Sequence, residues 1–121
     1  MENLTVLIVE DDSGVAEALS KRLQRVFSNV YTAPDGVKGL EIAFLVRPHI
    51  IVTDLRMPYM DGFEMVALLK EELPDIGVVM LTASDEVFDR HKADALGISA
   101  YLTKPLNIGS LVEKIREISS V

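Results

Sequence analysis

Five short apolar runs, at residues 4–9, 30–33, 49–53, 77–81 and 99–103, alternate with stretches whose apolar residues recur at helical spacing. This alternation restricts the fold to a narrow class. Val15, Ala18, Leu19, Leu23, Val26 and Phe27 predict a first helix over 13–27. Val37, Leu40, Ala43 and Phe44 predict a second, which follows the turn Pro34-Asp35-Gly36 and stops before Pro48. Phe63, Val66, Leu69 and Leu73 mark a third helix. A charged, weakly amphipathic stretch over 85–96 gives a fourth, with Gly97 placed to end it in the left-handed conformation. Pro105 breaks the last strand, and Asn107 is positioned to cap a fifth helix carrying Ile108, Leu111, Val112, Ile115 and Ile118.

Strands that read as continuous apolar runs are buried on both faces, so the pattern predicts a parallel sheet covered by helices on either side and joined by right-handed crossovers. The expected fold is an α/β three-layer sandwich with a five-stranded parallel sheet, forming one domain over 1–121. Hydrophobic residues make up 49% of the 121 and charged residues 26%, a balance that excludes a disordered chain. Cysteine is absent, which removes disulfides, thiolate zinc sites and thiol nucleophiles. The apolar runs are strand-sized and Met1-Glu2-Asn3-Leu4 lacks a basic region, so neither a secretion signal nor a membrane span is expected, and a cytoplasmic location is compatible. A net charge of -7 argues against direct binding of nucleic acid or anionic lipid by this domain.

In open parallel sheets, ligands bind beyond the carboxyl ends of the strands, where strand order reverses. Glu10, Asp11, Asp12, Asp54, Thr82 and Lys104 all fall at those ends. Two carboxylates held roughly 4 Å apart near a protein surface repel by about 4 kcal/mol, so such a cluster needs a cation. Mg²⁺ suits it, because that ion takes hard oxygen ligands and keeps positions open for a phosphate oxygen. Asp11 and Asp54 are the expected direct ligands, with Glu10 reached through water. Asp12 is the alternative to Asp11, although it can equally cap the next helix.

Asp54 is the candidate nucleophile, a carboxylate able to attack phosphorus and form an acyl phosphate. Lys104 supplies a positive charge for the phosphoryl oxygens, and Thr82 a hydroxyl donor. Backbone N–H groups following Asp54 and Thr82, at Arg56 and Ala83, can satisfy the remaining acceptors. Lys104 precedes Pro105, so this peptide bond reaches the cis form far more readily than most. Met57, Met60 and Met65 around Phe63 read as loop and core packing, and His49 and His91 as surface or boundary residues without a second ligand at metal spacing.

Four ordered pieces resemble the receiver domain of two-component response regulators: Val9-Glu10-Asp11-Asp12, Val52-Thr53-Asp54-Leu55-Arg56-Met57-Pro58 with Asp61-Gly62, Leu81-Thr82-Ala83, and Tyr101-Leu102-Thr103-Lys104-Pro105. The resemblance covers essentially the whole chain. It implies a CheY-like sheet of order 2-1-3-4-5, phosphorylation at Asp54, and Mg²⁺ held by the acidic pair Glu10 and Asp11, favouring Asp11 over Asp12, together with the Arg56 carbonyl. It further implies that the phosphoryl group comes from a sensor histidine kinase or histidine phosphotransfer protein. Thr82 would then move inward and Tyr101 would turn from exposed to buried, altering the surface of the last two helices and the strand between them for an effector domain or partner protein.

Arg56 and Ser84 resemble the family's tuning positions for hydrolysis. Ser99-Ala100 stands where members that dimerise through this face often carry paired acids, so such a dimer is not implied.

Three other functions compete with this reading. A Mg²⁺-dependent aspartyl-phosphate phosphohydrolase commonly carries a second acid two residues after its nucleophile, where this chain has Arg56. A flavodoxin-like module needs hydroxyls and glycines after the first strand, where Glu10-Asp11-Asp12 would repel an anion. A phosphorylation-independent interaction domain would have no need of Asp54, Thr82 and Lys104 together.

Overall fold

The computed structural model describes residues 1–83 and 88–119. Its strands are β1 (Glu2–Val9), β2 (Phe27–Ala33), β3 (Ile50–Asp54), β4 (Gly77–Thr82) and β5 (Ala100–Thr103). They pair in parallel in the order β2-β1-β3-β4-β5, the order the family resemblance implies. Helices follow each strand: α1 (Ser13–Leu23), α2 (Gly36–Val46), α3 (Gly62–Glu72), α4 (Arg90–Leu96) and α5 (Ile108–Ser119).

Because side chains alternate across a strand, the apolar runs divide between two cores. Val6, Ile8, Val52, Val79 and Leu81 pack with Leu19, Leu23, Leu111 and Ile115 of α1 and α5. Leu7, Val9, Ile51, Val78 and Met80 pack on the other face with Ala43, Met65, Val66 and Leu69 of α2 and α3. The three-layer sandwich is therefore present as the pattern predicts.

Strand ends shift by a residue or two, and two boundaries differ by more. The first helix ends at Leu23, and Phe27 begins β2 opposite Glu2. Phe27 is fully buried in the core of α1 and α5, so it serves the same apolar cluster whether reached by helix or strand, and spacing alone could not separate the two. The fourth helix starts at Arg90 with Asp89 as its cap, later than the sequence pattern places it; residues 85–87 lie outside the described residues. Gly97 ends α4 at φ +73°, and Asn107 accepts from the Ser110 amide at 3.1 Å, both as expected.

The link from β3 to α3 positions the site. Gly62 donates its amide to the Leu55 carbonyl at 2.7 Å, and a Cβ at Gly62 would lie 2.7 Å from the Asp54 carbonyl oxygen and 2.9 Å from Met80 Cε. Only a residue without a side chain allows α3 to start this close to the end of β3. Asp61 caps that helix and Glu64 closes a reciprocal capping box. Gly62→Ala should destabilise the domain by about 1–3 kcal/mol, the usual cost of overpacking a tight contact, read as a lower urea midpoint. An unchanged midpoint would contradict the close approach.

Candidate functional site

The sheet reverses direction of growth between β1 and β3, and the acids gather at that point. Glu10 follows β1 and is only 3% exposed, while Asp54 ends β3 and is 5% exposed. Carboxylate oxygens of Glu10, Asp11 and Asp54 lie within 4.8 Å of one another, with Asp11 on the exposed side. Lys104 follows β5, and its Nζ lies 3.0 Å from Asp54 Oδ1 and 3.7 Å from Glu10 Oε2. Its peptide bond to Pro105 is cis.

Asp12 has a different task. Its Oδ1 accepts from the amides of Gly14 and Val15 at 2.9 and 3.1 Å, capping α1, and its own amide donates to Glu10 Oε1 at 3.1 Å. That last bond occupies one oxygen of Glu10 and turns the other, Oε2, toward Asp54. Asp11 is the acid whose carboxylate stands with those of Glu10 and Asp54.

Among the described residues, Glu10 Oε2 and Asp54 Oδ1 are the buried side-chain atoms lacking a directed hydrogen bond. The ammonium of Lys104 sits close to both, as an ion pair without hydrogen-bond alignment, so Coulomb attraction rather than lone-pair geometry holds it. Unsatisfied buried acceptors of this kind ask for a cation. Three carboxylate oxygens at this separation, one of them exposed, suit Mg²⁺ with an intervening water, so the residues present fit that ion.

The crowding is visible in protonation. Burial pushes the Glu10 carboxyl up from 4.5 to about 7, with the close Asp54 carboxyl adding to the rise against the Asp12 amide and Lys104. Lys104 loses some preference for its charged form through burial, but Asp54 and Glu10 outweigh this and raise its pKa, so it stays an ammonium at neutral pH.

Thr82 ends β4 and is 4% exposed. It pairs with Thr103, while Met80 pairs with Tyr101, so Thr82 and Tyr101 share one face of the sheet. Tyr101 is 37% exposed; its ring lies 4.4 Å from that of Phe88 and 5.0 Å from the Arg90 guanidinium, which also donates to its hydroxyl. Arg56 and Ala83 are exposed residues just beyond β3 and β4, and Ser84 lies outside the described residues. His49 accepts the Thr5 amide through Nδ1 at 3.0 Å, a structural role at the far end of the sheet.

Three features escaped the sequence reading. Thr53 is fully buried and donates its hydroxyl to the Asp54 carbonyl at 2.9 Å; its only sequence signal was the neighbouring Asp. Gly62 is the second, signalled by Asp61-Gly62 at a helix start. Phe88 and Arg90 against Tyr101 are the third, and no spacing rule connects residues across that turn.

A doubly wound parallel sheet with a buried carboxylate, two companion acids and a lysine at its switch point defines an acidic-pocket α/β domain. Residues 6–116 match the response regulator receiver domain, and the chain belongs to that family, the receiver domains of two-component systems. The heme response regulator HssR of Staphylococcus aureus (strain bovine RF122 / ET3-1) is 37% identical over 112 residues, 93% of this chain and 50% of that protein. The DNA-binding dual master transcriptional regulator RpaA of Synechocystis sp. is 33% identical over 115 residues, 93% of this chain and 48% of that protein. The chain spans about half the length of the curated relatives it matches.

Among solved structures, the chemotaxis response regulator CheY4 of Vibrio cholerae superposes with a TM-score of 0.86 at 29% identity, covering 96% of this chain and 98% of that one. The receiver domain of Francisella response regulator 1452 gives 0.87 at 26% identity, covering 98% of each. No helix among the described residues is long and apolar enough to cross a membrane.

The raised Glu10 pKa has a sign in stability. Between pH 4.5 and about 7 the folded chain keeps a proton that the unfolded chain releases, so this contribution is full below pH 4.5 and is lost as pH rises to about 7. In metal-free buffer, wild type should therefore lose stability across that interval relative to Glu10→Gln. Parallel Tm-against-pH curves for the two proteins would contradict the assignment.

Proposed function

We propose that the chain accepts a phosphoryl group on Asp54 from a phosphohistidine of a sensor kinase or histidine phosphotransfer protein, with Mg²⁺ as cofactor. The observation that carries this reading is the buried Asp54 Oδ1, which lacks a directed hydrogen bond, has Lys104 at 3.0 Å and shares its pocket with two further acids. Asp54 supplies the attacking oxygen; its bond to phosphorus forms as the phosphorus–nitrogen bond breaks and the electron pair returns to the imidazole. Lys104 pairs with the charge spread over the equatorial oxygens, so the site's contribution is positioning and neutralisation.

Asp11 and Asp54 would hold Mg²⁺ directly with the Arg56 carbonyl, and Glu10 through water. When bound, that ion supplies positive charge to the phosphoryl oxygens and offsets repulsion among the carboxylates. The Thr82 hydroxyl and the backbone amides at Arg56 and Ala83 receive the remaining oxygens. Occupation of the site draws Thr82 inward, gives Tyr101 room to bury its ring, and so alters the face made by α4, β5 and α5 for an effector domain or partner protein. The chain is a phosphoacceptor switch that catalyses only its own phosphorylation and dephosphorylation. On this reading it works in the cytoplasm, and the net charge of -7 leaves nucleic acid to other domains or partners.

Incubation with acetyl phosphate and Mg²⁺ should add one acid-stable, base-labile phosphate by intact mass, and Asp54→Asn should add none. Steady turnover of a free phosphomonoester would favour a phosphohydrolase instead. Asp11→Ala should stay folded yet lose Mg²⁺-dependent modification, whereas undiminished modification would remove Asp11 from the metal site. Lys104→Ala should accept phosphate slowly, by about a hundredfold or more given the usual value of one such charge in a transition state, and equal rates would contradict its role.

A further inference from the structure

Three rings, from α3, from the residue two before α4 and from β5, form a chain across the α4 side of the domain. Phe63 of α3 lies 5.8 Å from Phe88, and Phe88 lies 4.4 Å from Tyr101 of β5. Each end carries a cation from α4: Lys92 Nζ sits 5.2 Å from the Phe63 ring, and the Arg90 guanidinium 5.0 Å from the Tyr101 ring, where it also donates to the hydroxyl. α4 is only seven residues long and buries a single side chain, Ala93. Leu96 adds a partly buried contact with the core, and the ring and cation contacts supply the rest of its hold on the body.

Phe88 covers one face of the Tyr101 ring, and Arg90 engages both the ring and its hydroxyl. Turning Tyr101 inward toward Thr82 requires giving up the Arg90 contacts. We infer that Arg90 and Phe88 form a latch that holds Tyr101 at the surface in the unphosphorylated chain, so that the start of α4 sets the resting population of the switch. This rests on the proposed reading of Tyr101 as the residue that turns. Removing the latch favours the inward ring before any phosphoryl group arrives, and by linkage it tightens the site for a phosphoryl mimic by the same factor. An exposed cation–ring contact corresponds to about two- to five-fold in such an equilibrium.

The test labels the tyrosines with fluorine and assigns the Tyr101 resonance by Tyr31→Phe and Tyr59→Phe. In the unmodified, metal-free chain, Arg90→Ala should move that resonance toward its buried position, with Arg90→Lys intermediate and Phe88→Leu also shifted. In Mg²⁺, Arg90→Ala should bind beryllofluoride about two- to five-fold more tightly than wild type, and the gain should vanish in a Tyr101→Ala background. An unmoved resonance, or unchanged or weaker beryllofluoride binding in Arg90→Ala, would overturn the latch. If beryllofluoride fails to bind wild type, the phosphoacceptor reading fails, while the fluorine resonance of the unmodified chain still decides whether Arg90 restrains Tyr101.

Discussion

The attraction of one ammonium for two buried carboxyl groups is the interaction around which the pocket is organised. Lys104 reaches Asp54 at 3.0 Å and Glu10 at 3.7 Å, and without a positive partner the two buried acids would face each other with little water to screen them. Asp12 sets the orientation: its amide binds Glu10 Oε1 and leaves Oε2 to Asp54 and Lys104. The rise of the Glu10 pKa to about 7 records how costly a second negative charge is here. A pocket in this condition favours a divalent cation and then a group whose own negative charge that cation can offset.

The fold places these groups with little freedom. β1 and β3 are neighbours in the sheet, which brings Glu10 beside Asp54 although they are far apart in the chain. Gly62 lets α3 begin against the Asp54 carbonyl, and Thr53 ties the same carbonyl from below. By contrast, α4 is short, anchored by buried Ala93, partly buried Leu96 and the ring contacts of Arg90 and Lys92. A stiff pocket next to a loosely held element is a suitable arrangement for turning a local charge change into a population shift.

Much of this was legible in the sequence because it depends on periodicity. Strand-length apolar runs ending in Glu10, Asp54, Thr82 and Lys104 were enough to predict the layers and to place the polar set at one rim. The strand order came from the ordered motifs, since periodicity does not fix which strands are neighbours. Phe27 fits the stripe of a helix end and equally a strand start that shares the same core, so periodicity extends the first helix over it. Spacing alone does not separate Asp11 from Asp12 in a run of three acids; the resemblance favours Asp11, and the amides of Gly14 and Val15 occupy Asp12 as a cap. Thr53, Phe88 and Arg90 act through contacts between elements, which leave no mark on local spacing.

The most direct measurement locates the phosphate chemically. Borohydride reduces an acyl phosphate to an alcohol, so treatment of the phosphorylated chain followed by peptide sequencing marks the modified acid. Homoserine at position 54 and nowhere else is the predicted result. Reduction at Glu10 or Asp11, or a borohydride-resistant phosphate on a hydroxyl, would contradict the account.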